Sequence, residues 1–430
     1  MKIGTYLTCS LSFFAGGALV VGLWLSTNPA VDSRLSGGRS GKAPVPSKAK
    51  GLQKGVANLD HLRGPPDRFS EPEDRRHWLV LEGRRRYETG VLAVDADRGL
   101  SLAQDKQALM EGYFTAWARA VPSAALDYLQ SRKGSDAMRL LMVSALKTWA
   151  ITDGEKAIQW VNRSLSVDDR VYFSQRIAEA WAAIDPQASA KYLMAQPQDE
   201  VITVMLGVTL KTWGENDPPG IAQWMSANEH RSGIDAAVPA AITGMAKQSP
   251  AQAWAELDRV AHAKTGSGIA TVPIAQMLTQ FGGMASLYVA ATGEVFREWG
   301  ATATEDAARI AVTIAAPNLR EAAMQGLAAG WSARDPYAAM QWFASASRHD
   351  DSVQRALIAS ARSLVNQPVH EVLHHVAQVS GADTIVQDKM LSGYAIAAND
   401  GNQPEVAREV VAKISNPKLA GQVLSQTSEP

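Results

Sequence analysis

Residues 168–194 read DDRVYFSQRIAEAWAAIDPQASAKYLM, and the punctuation of that stretch decides the fold. Apolar positions at Val171, Tyr172, Ile177, Ala178 and Trp181 recur at helical spacing, which predicts a helix from Asp168 to about Ala183. Asp185-Pro186 then ends it and starts another. An aspartate before a helix accepts orphan backbone N–H groups. A proline at the first helical position has no N–H to waste and its φ is preset. The second helix runs from Pro186 to Met194.

The same device recurs on both sides. Trp117, Trp149, Trp181 and Trp213 are 32 residues apart, and so are Trp299 and Trp331. Five residues after each of the first four stands Pro122, Gly154, Pro186 or Pro218; six further on stands Tyr128, Trp160, Tyr192 or Trp224. Pro336 and Trp342 follow Trp331 in the same way, and Ser249-Pro250, Asp335-Pro336 and Gln367-Pro368 repeat the turn. A fixed period of this length predicts an all-α chain, an α-solenoid of helix hairpins. Within each second helix, the third residue after the proline position is mostly small and the seventh aliphatic or aromatic, a helical stripe. The tryptophans therefore read as a packing ladder; a stacking platform for sugars or bases is the alternative.

Between Pro250 and Thr304 the period is broken by 22 extra residues, so the array is expected to be irregular near 264–298. Lys264-Thr265-Gly266-Ser267-Gly268 is no phosphate loop, because Lys-Thr precedes the glycines. The layout resembles tandem helix-hairpin repeats of the tetratricopeptide and Sel1 kind. The likeness rests on repeat length and helix pairing, so it implies a fold and lends no binding residues.

Upstream of the array the composition changes. Residues 1–27 hold Lys2 and then an uncharged, largely apolar run, long enough to cross a bilayer as a helix. Asn28-Pro29-Ala30 is a poor cleavage site, so the run reads as an uncleaved signal-anchor. Such a segment carries the bulk of the chain to the extracytoplasmic or periplasmic side, as a single-pass membrane protein. Residues 28–72 read as a disordered Pro/Gly/Ser linker, and in its 28–58 part Arg34, Arg39, Lys42, Lys48, Lys50 and Lys54 face Asp32 alone. It is a solvated tether, or a patch for anionic lipid or cell-wall polymer. The repeat domain spans 73–430. There Arg84-Arg85-Arg86 reads as a solvated face capping the array.

The bulk numbers exclude more than they assign. A net charge of −1 over 430 residues gives no nucleic-acid footprint. A single cysteine, Cys9, excludes an intrachain disulfide or cysteine metal site. One motif carries chemistry: His370-Glu371-Val372-Leu373-His374. On a helix this pattern puts two histidines one turn apart on a zinc ion, with the glutamate as general base. Asp383 and Glu405 are the possible third ligands. Counting from Pro368, however, Glu371 takes the small slot of the repeat, His374 the aromatic slot and His375 the aliphatic one, so the helix also reads as an ordinary repeat with polar substitutions. The sequence thus supports a membrane-tethered, non-catalytic scaffold for a protein partner, with no cofactor. A zinc hydrolase using His370, Glu371 and His374 is the first alternative, and a cell-wall structural protein the second.

Overall fold

The computed structural model describes residues 71–427, apart from 98, 133–135, 230, 232, 270, 272–281, 347–349 and 382. Among these residues the chain is helical and has no strand. Helices come in pairs, a long first one and a shorter second one. Val167–Ala182 is followed by Pro186–Met194, Glu200–Asn216 by Pro218–Asn228 and Pro317–Arg334 by Pro336–Ser345. Asp136–Ser164 is such a pair joined at Asp153, where φ is −158° and ψ 80°. Ala103–Ala120 with Pro122–Ser131, Ala285–Thr302 with Thr304–Ala311, and Thr384–Asp400 with Pro404–Val411 repeat the arrangement.

One residue makes each corner. Val121, Asp185, Asp217, Ala303 and Asp335 all have φ near −140° and ψ between 71° and 88°. Their N–H groups donate to the carbonyl of the tryptophan four residues back, at 2.8–2.9 Å, so Trp117, Trp181, Trp213, Trp299 and Trp331 end their helices identically. Where the corner residue is aspartate it also caps the next helix: Asp185 accepts from Ala188 N–H and Asp335 from Ala338 N–H, both at 2.9 Å. Val121 has the same backbone but no side-chain cap. Val121→Asp is therefore expected to raise stability, and Asp335→Ala to lower it, each by about 1 kcal/mol in a urea titration. Equal midpoints for all three proteins would show that the caps are idle.

The first helices stack in chain order without a skip, from Pro72–Glu88 to Pro417–Thr427. The irregular stretch does not break the stack, since Val238–Ala246 packs on Ala285–Thr302. Charged pairs tie neighbours together, including Arg139–Asp169 at 3.2 Å, Lys147–Glu179 at 3.0 Å and Arg320–Asp350 at 2.7 Å. Several of the stacked pairs meet backbone to backbone at glycines, among them Pro72–Glu88 on Ala103–Ala120 and Ala285–Thr302 on Pro317–Arg334. A Cβ on Gly83 would lie 1.9 Å from the Leu109 carbonyl oxygen, and one on Gly112 the same distance from that of Val80. Gly326 and Gly330 stand likewise at 2.0 and 1.9 Å from the carbonyls of Gly293 and Arg297.

The second helices bury the expected stripe. Ala125, Ala157, Ser189, Ile221 and Ala339 are fully buried, as are Leu129, Val161 and Leu193 four residues beyond the first three. In four hairpins the aromatic ring of the second helix packs on the tryptophan of its own hairpin: Trp117–Tyr128 centroids are 5.3 Å apart, Trp181–Tyr192 and Trp213–Trp224 5.6 Å, and Trp331–Trp342 5.8 Å. The tryptophan reaches the neighbouring repeat. The indole of Trp181 lies on Gly154 of the preceding corner, where a Cβ would come within 2.1 Å of the ring.

Three expectations need correction. The fold and the location both included a membrane span, and no helix among the described residues is long and apolar enough to cross a membrane. The all-α description stands; the single-pass, extracytoplasmic placement does not. The stretch 1–27 on which it rested, and the linker up to residue 70, lie outside the described residues. Second, Arg84-Arg85-Arg86 is not uniformly solvated. Arg86 is fully buried, with Nε donating to Glu82 at 2.9 Å and Nη1 to the Ala96 carbonyl at 2.8 Å. It pins the turn-rich segment that stands where other repeats have a second helix. Third, the register of the His-Glu-x-x-His helix shifts by one. Pro368 is the residue before that helix, with ψ 131°, and the helix is Val369–Ser380.

Candidate functional site

The one-residue shift changes what each polar side chain does. Counted from Val369, the small slot is Val372 and the aliphatic slot Val376, both fully buried. The aromatic slot falls on His375, whose ring meets Tyr337 edge-on with centroids 4.4 Å apart. Glu371, placed in the small slot by the sequence count, is exposed, and so are His370 and His374. No carboxylate is buried there, so the polar residues need no partner to be tolerated.

The helix leaves the motif unassembled. His370 Nε2 lies 4.0 Å from a Glu371 oxygen, and His374 Nε2 lies 3.0 Å from the Gln378 amide nitrogen. The two possible third ligands are engaged elsewhere. Asp383 caps the helix Thr384–Asp400 by accepting from Ile385 and Val386 N–H, and Glu405 pairs with Arg408 at 2.7 Å. Among the described residues no three His, Cys, Asp or Glu side chains come together to hold a metal. What remains is an exposed two-histidine helix face with one carboxylate beside it.

Two clefts occur instead at the corners between hairpins, and they are the same cleft twice. One, of 370 Å³, is lined by Ala150 to Glu155, Trp181, Ile184 and Asp185. The other, of 490 Å³, is lined by Ala303 to Asp306, Trp331, Arg334, Asp335 and Ala338. Gly154 and Thr304, Trp181 and Trp331, Ile184 and Arg334, and Asp185 and Asp335 correspond residue for residue. The wall is the tryptophan, the floor is the corner of the preceding repeat, and the rim is the aspartate that caps the next helix.

These clefts sit where the proline slot holds another residue, Gly154 or Thr304. The tryptophans that follow the proline corners Pro122 and Pro186 are Trp149 and Trp213, and both are buried; Trp181 and Trp331 are half-buried. The electrostatics of the two clefts differ. At Trp331 the guanidinium of Arg334 lies in the cleft, with Nη2 donating to Thr304 Oγ1 at 2.8 Å and Nη1 to the Ala301 carbonyl at 3.2 Å. At Trp181 the corresponding residue is Ile184, 63% exposed, and Ile151 beside it is 51% exposed. The carboxylates at that rim are Asp153, Glu155 and Asp185. Burial pushes the Asp153 carboxyl up, but the side-chain and backbone bonds from Lys156 outweigh this and hold it below the usual range.

Read along the sequence, Gly154 is only a variant of the proline slot; the signal for these clefts is the coincidence of a non-proline slot with the tryptophan 27 residues later. No family model, no curated protein and no solved structure matches this chain.

Proposed function

We propose that the helical array is a non-catalytic scaffold that binds a protein partner along its corner edge. The layout resembles tandem helix-hairpin repeats of the tetratricopeptide and Sel1 kind, in repeat length and helix pairing only. The observation that carries the reading is the pair Ile151 and Ile184, both more than half exposed, flanking a half-buried tryptophan in a cleft. Adjacent exposed aliphatics around an aromatic wall are the usual mark of a contact surface, and single exposed apolar residues are not.

The test uses the full chain as bait, with the double variant Ile151→Asp/Ile184→Asp beside it. Both sites are surface positions, so helix content by circular dichroism should be unchanged. A partner retained in near-stoichiometric amount by the wild type should fall by about tenfold or more with the variant. Failure to retain any partner, or an identical set on both baits, would remove the scaffold reading. Peptide hydrolysis abolished by Glu371→Gln would replace it with the hydrolase.

A further inference from the structure

The two corner clefts lie at matching positions and each is lined by three carboxylates, but only one of them holds a cation of the chain's own. In the Trp331 cleft the chain supplies its own cation: Arg334 reaches over the preceding corner, and its guanidinium is held by the Thr304 hydroxyl and the carbonyl of Ala301. Glu305, Asp306 and Asp335 line the same space. The Trp181 cleft has Ile184 in the arginine's position, and Asp153, Glu155 and Asp185 around it. Each carboxylate already has a local bond. Asp153 pairs with Lys156 at 2.6 Å, Glu155 accepts from Gln159 at 3.0 Å, and Asp185 caps Ala188 at 2.9 Å. A carboxylate offers about four acceptor positions, so these bonds leave capacity for a further donor. Lys156 is exposed at the surface and is not part of the cleft lining.

The cleft lies at the C-terminal end of the helical segment 136–152, where the helix dipole favours a cation. The Ile151 carbonyl is the counterpart of the Ala301 carbonyl that Arg334 uses. A planar cation that can lie against an indole face, meet carboxylates at its edge and rest its methylenes on Ile151 and Ile184 fits these walls better than a compact ammonium. We propose that the Trp181 cleft binds an arginine side chain of the partner, which takes the place that Arg334 fills in the sister cleft.

The inference rests on the scaffold reading and names its ligand chemistry. The probe is the peptide acetyl-Gly-Arg-Gly-amide, with its citrulline isostere as the uncharged control. The full chain carries fluorotryptophan, and the Trp181 resonance is assigned with Trp181→Phe. The arginine peptide should shift the Trp181 signal saturably, and citrulline should bind at least about tenfold more weakly. Ile184→Arg recreates the arrangement of Arg334 and should block the peptide by a similar factor, while Ile184→Met should bind as the wild type does. Equal binding of citrulline, undiminished binding to Ile184→Arg, or no shift at about 10 mM peptide would each overturn the proposal. Capture of a partner that needs Ile151 and Ile184 but is indifferent to its arginines would sink this inference alone and leave the scaffold standing.

Discussion

Gly330→Ala is expected to destabilise the stack of Ala285–Thr302 on Pro317–Arg334 by about 3 kcal/mol, far beyond the effect of one methyl elsewhere. The new Cβ would lie 1.9 Å from the Arg297 carbonyl oxygen and 3.0 Å from the Ala301 nitrogen. Both are backbone atoms of the opposing helix, so no side chain can swing away. Either the two helices separate or the carbonyl loses its place in the helix. Gly326, one turn earlier on the same face, stands equally close to Gly293, and the double substitution should keep the pair from docking. Gly207 supplies the control. It lies inside Glu200–Asn216, and its nearest neighbour for a Cβ is the Ala240 methyl at 3.8 Å. There Gly→Ala should stabilise by about 0.5–1 kcal/mol through backbone entropy. Urea titrations of the two variants should thus move in opposite directions. Equal shifts would mean that the close approach does not matter.

These glycines mark the limit of what the sequence discloses. A lone glycine within a helical pattern reads as a weak helix former, because its partner is a carbonyl on a helix about 30 residues away. Nothing local separates Gly330 from Gly207. The corners were legible for the opposite reason. Asp185, Pro186 and Trp181 lie within six residues, and each acts on the others: the tryptophan carbonyl takes the corner N–H, the aspartate caps, and the proline starts the helix. Where those companions are missing, the reading slips. At Gln367-Pro368 there is no tryptophan and no aspartate. The preceding helix unwinds through tight turns, with Val365 N–H on the Arg362 carbonyl and Gln367 N–H on that of Leu364. The proline then stands before the helix rather than in it, and Glu371 and His374 turn outward. Arg86 was misread because a buried guanidinium needs a carbonyl from a distant turn, here Ala96, which no periodicity announces. Ile184 and Arg334 occupy matching positions of the repeat, but the contrast marks a site only once the corner between hairpins is seen to open as a cleft.

The same logic ranks the aromatic slot of the second helices, where sequence supplied the residue type but not the burial. Trp160 is 1% exposed, and its Nε1–H donates to Asp127 Oδ1 of the preceding second helix at 2.9 Å. Trp342 fills the same slot, half-buried, between Trp331 and Phe343. Trp160→Ala removes a whole ring from a closed site and should cost about 3–5 kcal/mol. Trp342→Ala should cost about half as much, because part of its ring is already in water. Asp127 is exposed and regains solvent when the indole leaves, so the lost hydrogen bond adds little to the difference. Trp160→Phe keeps most of the packing without the donor and should fall between wild type and alanine. In a stacked array each loss is felt by the adjoining repeats first. Hydrogen exchange should therefore show lost protection in residues 122–194 for Trp160→Ala and around 317–345 for Trp342→Ala. If the two alanine variants cost the same, burial in the slot is uniform and the tryptophan ladder is a set of interchangeable rings. A larger loss for Trp160 would mean that the slot is sealed in one repeat and open in another.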